Sequence, residues 1–368
     1  MFLLVRKHLF VYKGRFLLAI VGVASSVVLV LLLMGLYTGW RDNMATYLRH
    51  VQADVWVGQK GASDLFHTLS LLPVAGEQLF YQSEEVEEVS SFVGRLMSSE
   101  VRGQQRHTFV VGVDKAENGP VELVAGRAVT QAGEIVIDLV FARKEGLQLG
   151  EIVTVAGKPL SVVGIARGGN CFLYQYAFVT LGQARQLFGL HGMVNYFLVQ
   201  FSPGVNLHDA IARIEHSAPV PVSAYTKEQF IANNLSLTGD NFLPILGVLQ
   251  ALGLLVGTVV IGLTIYTMTV ERGPEYGVLK AIGAPDQTLY WTASLQALVC
   301  GLCGWLLGVP LSWGAVTLAQ YFVPQFPAAS YAHHAIWMLG CTVGMSVLAA
   351  VFPARRIARI DPLIAFKG

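Results

Sequence analysis

The chain has 368 residues and a formal net charge of +1, from 25 Lys and Arg against 24 Asp and Glu. Only 13% of its residues are charged and 54% are hydrophobic, with a mean hydropathy of +0.54. Soluble domains carry roughly 25% charged residues, so the composition excludes an ordinary soluble protein, and the near-neutral charge excludes a nucleic-acid binder, which needs a basic face.

The first predicted element is the uncharged run FLLAIVGVASSVVLVLLLMGLY, residues 16–37. At about 1.5 Å of rise per residue it crosses a hydrocarbon core roughly 30 Å thick. A signal peptide would have a shorter apolar core, roughly 7–15 residues, followed by a small-residue cleavage site. Here YTGWRDN follows, so the run reads as an uncleaved anchor.

Residues 40–240 read as a folded extracytoplasmic α+β domain of small strands and helices. SEEVEEVSSFVGRL is an acidic turn leading into a mixed element. RHTFVVGVD and NYFLVQFSP predict strands, and EIVTVAGKPLSVVGIA predicts a hairpin turning at Gly157, Lys158 and Pro159. NLHDAIARIEHSA predicts a short helix capped by Asn206, with Leu207, Ala210, Ile211 and Ile214 on one face. YTKEQFIANNLSLTGDNF predicts a helical lead-in to the second span. Acidic residues outnumber basic ones here, and Cys171 stands alone, so no internal disulfide is expected.

The second span is predicted over 242–268. Residues 287–354 hold no Asp, Glu, Lys or Arg, too long a stretch for one crossing. It divides at VPQFPAASYAHH, where Pro324 and Pro327 stop a helix, giving spans at 289–322, kinked at Pro310, and at 335–351. Gly253 with Gly257, and Gly304 with Gly308, make two G-x-x-x-G pairs. These mark either close helix packing or the general abundance of Gly in membrane helices. Cys300 and Cys303 form a C-x-x-C inside an apolar helix, without the polar surroundings of a redox or zinc site.

Arg6, Lys7, Lys13 and Arg15 precede the first span, and Arg355, Arg356, Arg359 and Lys367 follow the fourth. Positive flanks stay cytoplasmic, which places both termini inside and 40–240 outside. The expected architecture is therefore an α+β membrane protein with four transmembrane helices and a large extracytoplasmic domain between spans one and two. Its parts are 1–39, the cytoplasmic N-terminus and first span; 40–240, the outer domain; and 241–368, the remaining spans with a cytoplasmic tail.

No Walker G-x-x-x-x-G-K-[ST], H-E-x-x-H or G-x-S-x-G is present, and the spans hold no acidic pair for a proton or ion path. No nucleophile–base or metal constellation supports a membrane-anchored enzyme. Tyr331, His333 and His334 at the outer end of span four are candidate metal or haem ligands, or a polar interfacial belt. The remaining feature is VERGPEYGVLKAIGA, between spans two and three on the cytoplasmic side. It is a compact, charged, helix-prone segment. Arg272 and Glu275 are three apart, Tyr276, Leu279 and Lys280 lie on neighbouring helical faces, and Gly283 is placed to stop the helix. It reads either as a docking helix or as a solvated loop.

Arg272, Glu275, Gly277, Leu279, Lys280, Ala281, Gly283 and Ala284 fill a pattern that resembles the signature of the MacB/FtsX-like permeases, the type VII ABC transporter family. The ending PARRIARIDPLIAF is similar to that family's C-terminus at Pro353, Ala354, Asp361, Pro362 and Ala365, with Ile357 where Ala is usual. GEIVIDLVFARKEGLQLGEIVTVAGKPLSVVGIA resembles its outer-domain stretch, so the resemblance covers nearly the whole chain. It implies a non-catalytic permease of the bacterial inner membrane that works with a separate cytoplasmic ABC ATPase. Residues 271–284 would be the coupling helix. ATP and Mg would be bound by that partner, with no cofactor in this chain. The resemblance also implies a permease homodimer in membrane lipid, an extracytoplasmic adaptor as a further partner, and no nucleic acid. Function would be mechanotransmission, moving or releasing a hydrophobic or amphipathic substrate at the outer side. The alternatives it leaves are a haem exporter and an FtsX-like signalling protein that activates an outer partner without transport.

Overall fold

The computed structural model describes residues 13–172, 174–271, 275, 277–278, 282–283 and 285–358. The chain forms two units. One takes the described residues up to Thr38, then Leu243–Phe322 and those from Ala328 on; the other takes Gly39–Phe242 and Val323–Pro327.

Helix α1 runs Lys13–His50. After it come β1 (Val55–Gln59), β2 (Leu72–Pro73), the one-turn α2 (Glu77–Phe80), β3 (Val86–Val101) and β4 (Gln104–Val113). Then follow β5 (Glu122–Gly126), β6 (Glu134–Asp138), α3 (Leu139–Glu145), β7 (Ile152–Val155), β8 (Lys158–Arg167) and β9 (Gln175–Thr180). The α+β unit continues with α4 (Leu181–Phe188), β10 (Met193–Val194), β11 (Tyr196–Phe201), α5 (Leu207–Ser217) and β12 (Val222–Thr226). Its main sheet has the order β12-β1-β11-β3-β4-β9-β6-β8-β5, with β7 joining β3 and β8.

The 16-residue β3 serves three partners, β7 only at its end, where Ser99 and Glu100 face Val155 and Thr154. Its first half pairs β11, Val89 opposite Val199, and its second half pairs β4, Val93 opposite Gly112. Arg102 and Gly103 turn the chain between β3 and β4 with φ of 51° and 80°. Two successive left-handed residues match the twist of the flanking strands. The predicted β7–β8 hairpin uses the same device, but the turn is at Ala156 and Gly157, φ 50° and 77°, and Lys158 is already paired with Val155. Pro159 therefore sits in a strand rather than in the turn. This is tolerated because β6 reaches β8 only from Ser161 onward, leaving that edge open. Asn206 caps α5 as expected, its side chain accepting from the His208 N–H.

Alternate residues of β4 enter two different cores. Val110 joins a cluster with Ile135, Ile137, Phe141, Val179 and Ala184, under α3 and α4. Phe109 and Val111 join a second cluster with Tyr47 and Leu48 of α1 and with Trp56, Tyr176 and Phe230. Trp56 stacks on Phe230 with centroids 4.4 Å apart. A sheet covered on both faces needs continuously apolar strands, and β6 is buried along its whole length. The same packing explains why α1 does not end with its apolar run. Beyond residue 37 its inner face, Met44, Tyr47 and Leu48, is buried against the sheet. Its end is fixed by Asn118, whose backbone carbonyl accepts from the Tyr47 hydroxyl and whose side chain accepts from the Gln52 N–H, both at 2.9 Å.

Asp138 is buried at the N-terminus of α3 and accepts from the N–H groups of Val140, 2.8 Å, and Gly169, 2.9 Å. Burial pushes its carboxyl up to about 6, against these hydrogen bonds. A carboxyl raised in the folded state costs stability while ionised in both states. It returns that stability as pH falls from about 6 toward its unfolded value near 3.9, at most about 3 kcal/mol. Glu134 has the opposite sign. The Arg127 guanidinium and the Thr130 N–H hold it well below the usual carboxylate range, so its contribution is lost on further acidification. Thermal unfolding of the α+β unit, followed by tryptophan fluorescence, is expected to move to higher temperature between pH 7 and pH 5 and to fall again below about pH 4. In Asp138→Asn the rise should disappear while the fall remains.

The second unit is helical: α6 (Lys227–Glu271), α7 (Asp286–Phe322) and α8 (Ala332–Ala358) join α1. Among the described residues four helices are long and apolar enough to cross a membrane, over Gly14–His50, Leu243–Glu271, Tyr290–Phe322 and Ala332–Val351. α7 runs through Pro310 without a break. The glycine pairs are packing devices, and both face α1. A Cβ on Gly304 would stand 2.5 Å from Val23, and one on Gly308 2.7 Å from Val27. On α6, a Cβ on Gly253 would meet Val30 and one on Gly257 would meet Ser26, each at 3.1 Å. Between α7 and α8, Val323–Pro327 is grouped with the α+β unit, where the Asn170 side chain donates to the Gln325 carbonyl at 3.2 Å.

Candidate functional site

Helix α6 ends at Glu271 and α7 starts at Asp286, so the candidate segment is a short connection between two long helices. Arg272, Tyr276, Leu279, Lys280 and Ala281 lie outside the described residues. Those that are described form helical turns: Glu275, Gly277 and Val278 are helical, and the Ile282 N–H donates to the Val278 carbonyl at 3.1 Å. Gly283 follows with φ +93°, a left-handed stop that a side chain would strain.

Glu275, Val278 and Ile282 are spaced i, i+3 and i+7. At 3.6 residues per turn they fall within about 60° of one another. All three are exposed, Val278 at 50% and Ile282 at 75%, while Gly277, roughly on the other side, is buried. The segment thus presents an acidic residue and two bare aliphatic side chains on one face. Sequence reasoning singled out Leu279 and passed over Val278 and Ile282. The signal was their four-residue spacing, which has meaning only once the helix phase is known. Arg15 of α1 is ion-paired with Glu271, tying the start of α1 to the end of α6. Both partners are well exposed, so the pair contributes at most about 1 kcal/mol.

Arg355 and Arg356 lie on the last turns of α8, and Asp361 and Pro362 lie outside the described residues. At the start of α8, Tyr331 stacks on His333 at 5.3 Å and 17°, and the two imidazoles are 4.3 Å apart. His333 is exposed, but His334 is buried. The pair is one aromatic cluster with a single open imidazole. Among the described residues no three His, Cys, Asp or Glu side chains gather closely enough to hold a metal ion.

Four helices long and apolar enough to cross a membrane, with an α+β unit between the first and the second along the chain, define a polytopic membrane protein. A family model described as FtsX-like permease C-terminal matches residues 247–362, and one described as MacB-like periplasmic core domain matches residues 16–217. The chain belongs to the MacB/FtsX-like family of ABC transporter permeases. An uncharacterized ABC transporter permease of Mycobacterium bovis is 25% identical over 369 residues, spanning 97% of this chain and 96% of that one. The macrolide export ATP-binding/permease protein MacB of Rhodopseudomonas palustris is 25% identical over 267 residues, 66% of this chain and 40% of that protein. The crystal structure of the periplasmic region of MacB from Actinobacillus actinomycetemcomitans overlays 53% of this chain and 96% of its own, at 13% identity and a TM-score of 0.39.

Proposed function

We propose that this ABC permease is the force-transmitting subunit of an exporter, driven by a separate cytoplasmic ATPase that docks on the 271–284 segment. The observation that carries the proposal is the exposed Glu275–Val278–Ile282 face on a short connection between two long helices. Exposed aliphatic side chains on a helix are read by an apolar groove, and a charge beside them sets orientation. The sequence holds no Walker motif, in keeping with ATP hydrolysis by a separate subunit. A push at Glu271 reaches α1 through Arg15. Both α1 and α6 run as single helices into the α+β unit, where Tyr47 and Phe230 are core residues. Two permease copies would work together in a bacterial inner membrane, with both termini inside and an extracytoplasmic adaptor receiving the motion.

Orientation is checked with single cysteines at Lys13 and Lys158 in a background without Cys171. An impermeant thiol reagent applied to intact cells should label only position 158, and equal labelling of both would end the four-span orientation. Transport is checked with permease and co-purifying ATPase in inside-out vesicles, using dansyl-dodecanoate as probe. ATP-driven accumulation in the lumen supports export. Robust ATP hydrolysis without accumulation favours a signalling permease that moves an outer partner.

A further inference from the structure

We infer that a cavity in the α+β unit is a binding site for a single-chain amphiphile with an acidic head, a carboxylate or a phosphate. The inference rests on the exporter reading and names the class of its cargo. The cavity holds about 460 Å³. That falls in the range of small-molecule sites, roughly 300–1,000 Å³, and suits one alkyl chain rather than the bulk of a two-chain phospholipid.

Its walls come from distant parts of the chain: Trp40 and Met44 on α1, residues 65–70 between β1 and β2, Gly94, Arg95 and Leu96 on β3, and Tyr174 before β9. Phe66 packs on Phe109 at 5.0 Å and on Tyr174 at 5.1 Å, making an aromatic wall. The frame is preformed. The Asn195 side chain donates to the Ser70 carbonyl at 2.8 Å and accepts from the Gly94 N–H at 2.9 Å, tying the 65–70 segment to β3. Asp64, fully buried, pins the same segment by accepting from the N–H groups of Phe66 and His67.

Two features of this frame call for a ligand. Leu69 and Leu96 line the cavity yet are 65% and 48% exposed, leaving apolar surface in water beside aromatic walls. Arg95 lies between Gly94 and Leu96, exposed and with no ion pair or hydrogen bond among the described residues. Elsewhere in the unit Arg102, Arg106, Arg127, Arg167 and Arg213 are each paired with a Glu, whereas Arg41, Arg49, Arg143 and Arg185 share with Arg95 the lack of an ion pair among the described residues but do not line the cavity. An unpaired guanidinium beside an apolar cavity is complementary to an anionic head on an apolar tail. Trp40 stands three residues beyond Tyr37 on the same helix, about 4.5 Å of rise, so one wall begins within a helical turn of the apolar run. A tryptophan there suits the membrane interface, where an amphiphile leaves the lipid.

The test uses the full chain in phosphatidylcholine nanodiscs, without ATPase, and a diazirine-bearing dodecanoate as photoprobe. Label is expected on peptides containing Leu69 and Leu96. Dodecanoate and dodecyl phosphate should compete for it, and dodecanol should not. Arg95→Glu should weaken that labelling about tenfold and Arg95→Lys should restore it, since a charged hydrogen bond is at stake. Among the described residues Arg95 bonds to no other group, so both variants should melt like the parent. Label confined to lipid-facing helices, equal competition by dodecanol, or indifference to Arg95→Glu would each overturn the site. Competition by phosphatidylglycerol in the disc would overturn the single-chain occupant. Failure of ATPase docking with labelling intact would remove the exporter reading alone, and lost labelling with docking intact would remove the cavity alone.

Discussion

Val278→Asp combined with Ile282→Asp is expected to release the ABC ATPase from the permease in a pull-down, with binding weakened about a hundredfold or more. Both side chains are largely bare in the permease, so the substitutions should cost the fold little. At an interface the balance reverses. Removing one anchor costs about 2 kcal/mol or more when it fills a groove, and a carboxylate placed there must also be desolvated. Two such losses exceed the roughly 2.7 kcal/mol that a hundredfold change requires. Replacing the same residues with Leu keeps the face apolar and should keep the ATPase. Glu275→Lys is a milder companion that should lower the on-rate and its salt dependence more than the final affinity. Undiminished co-purification of the double Asp variant, with full activity, would reduce the segment to a solvated turn between two spans.

Gly304→Leu with Gly308→Leu is expected to abolish the folded membrane unit, seen as loss of the monodisperse peak in detergent. The reason lies in what the new side chains meet. Val23 and Val27 are wholly buried and stand 2.5 and 2.7 Å from the added Cβ positions, and Gly308 also faces the Ala24 carbonyl at 3.0 Å. A β-branched side chain in a helix has essentially one rotamer, so neither Val can swing aside. Overpacking costs typically about 1–3 kcal/mol per site, and here two sites on the same seam force α7 away from α1. Gly314→Ala and Gly340→Ala are the controls. Nothing lies within 4 Å of a Cβ at either position, and Ala is the better helix former, so both variants should be at least as stable as the parent. If the double Leu variant folds and melts like the parent, α1 is not clamped by these glycines.

Charge and hydropathy alone determined that this is a membrane protein with four spans, because an uncharged run of about twenty residues has few other uses and because lipid admits only backbone that bonds to itself. They also determined the α+β character of residues 40–240, since strands buried on both faces must read as continuous apolar runs, and the Asn206 cap, since capping is a local hydrogen bond. What hydropathy could not show is where α1 stops. The uncharged apolar run ends at residue 37, but the helix continues to His50 because Met44, Tyr47 and Leu48 bury themselves in a sheet formed far along the chain. Nor could it decide the meaning of the glycines. Gly304 and Gly308 become a seam only when Val23 and Val27 arrive opposite them, nearly three hundred residues earlier in the chain. That Pro159 lies in a strand beyond the turn at Ala156 and Gly157 is tolerated because β6 leaves that edge of β8 open, a matter of sheet assembly. The candidate site divides in the same way. Its place between spans two and three and its stop at Gly283 are local, and the sequence carries both. That it offers Val278 and Ile282 depends on helix phase and on the burial of Gly277, and the exposure of Arg95 beside its cavity depends on how β3 packs. These are properties of packing, decided only when distant segments meet.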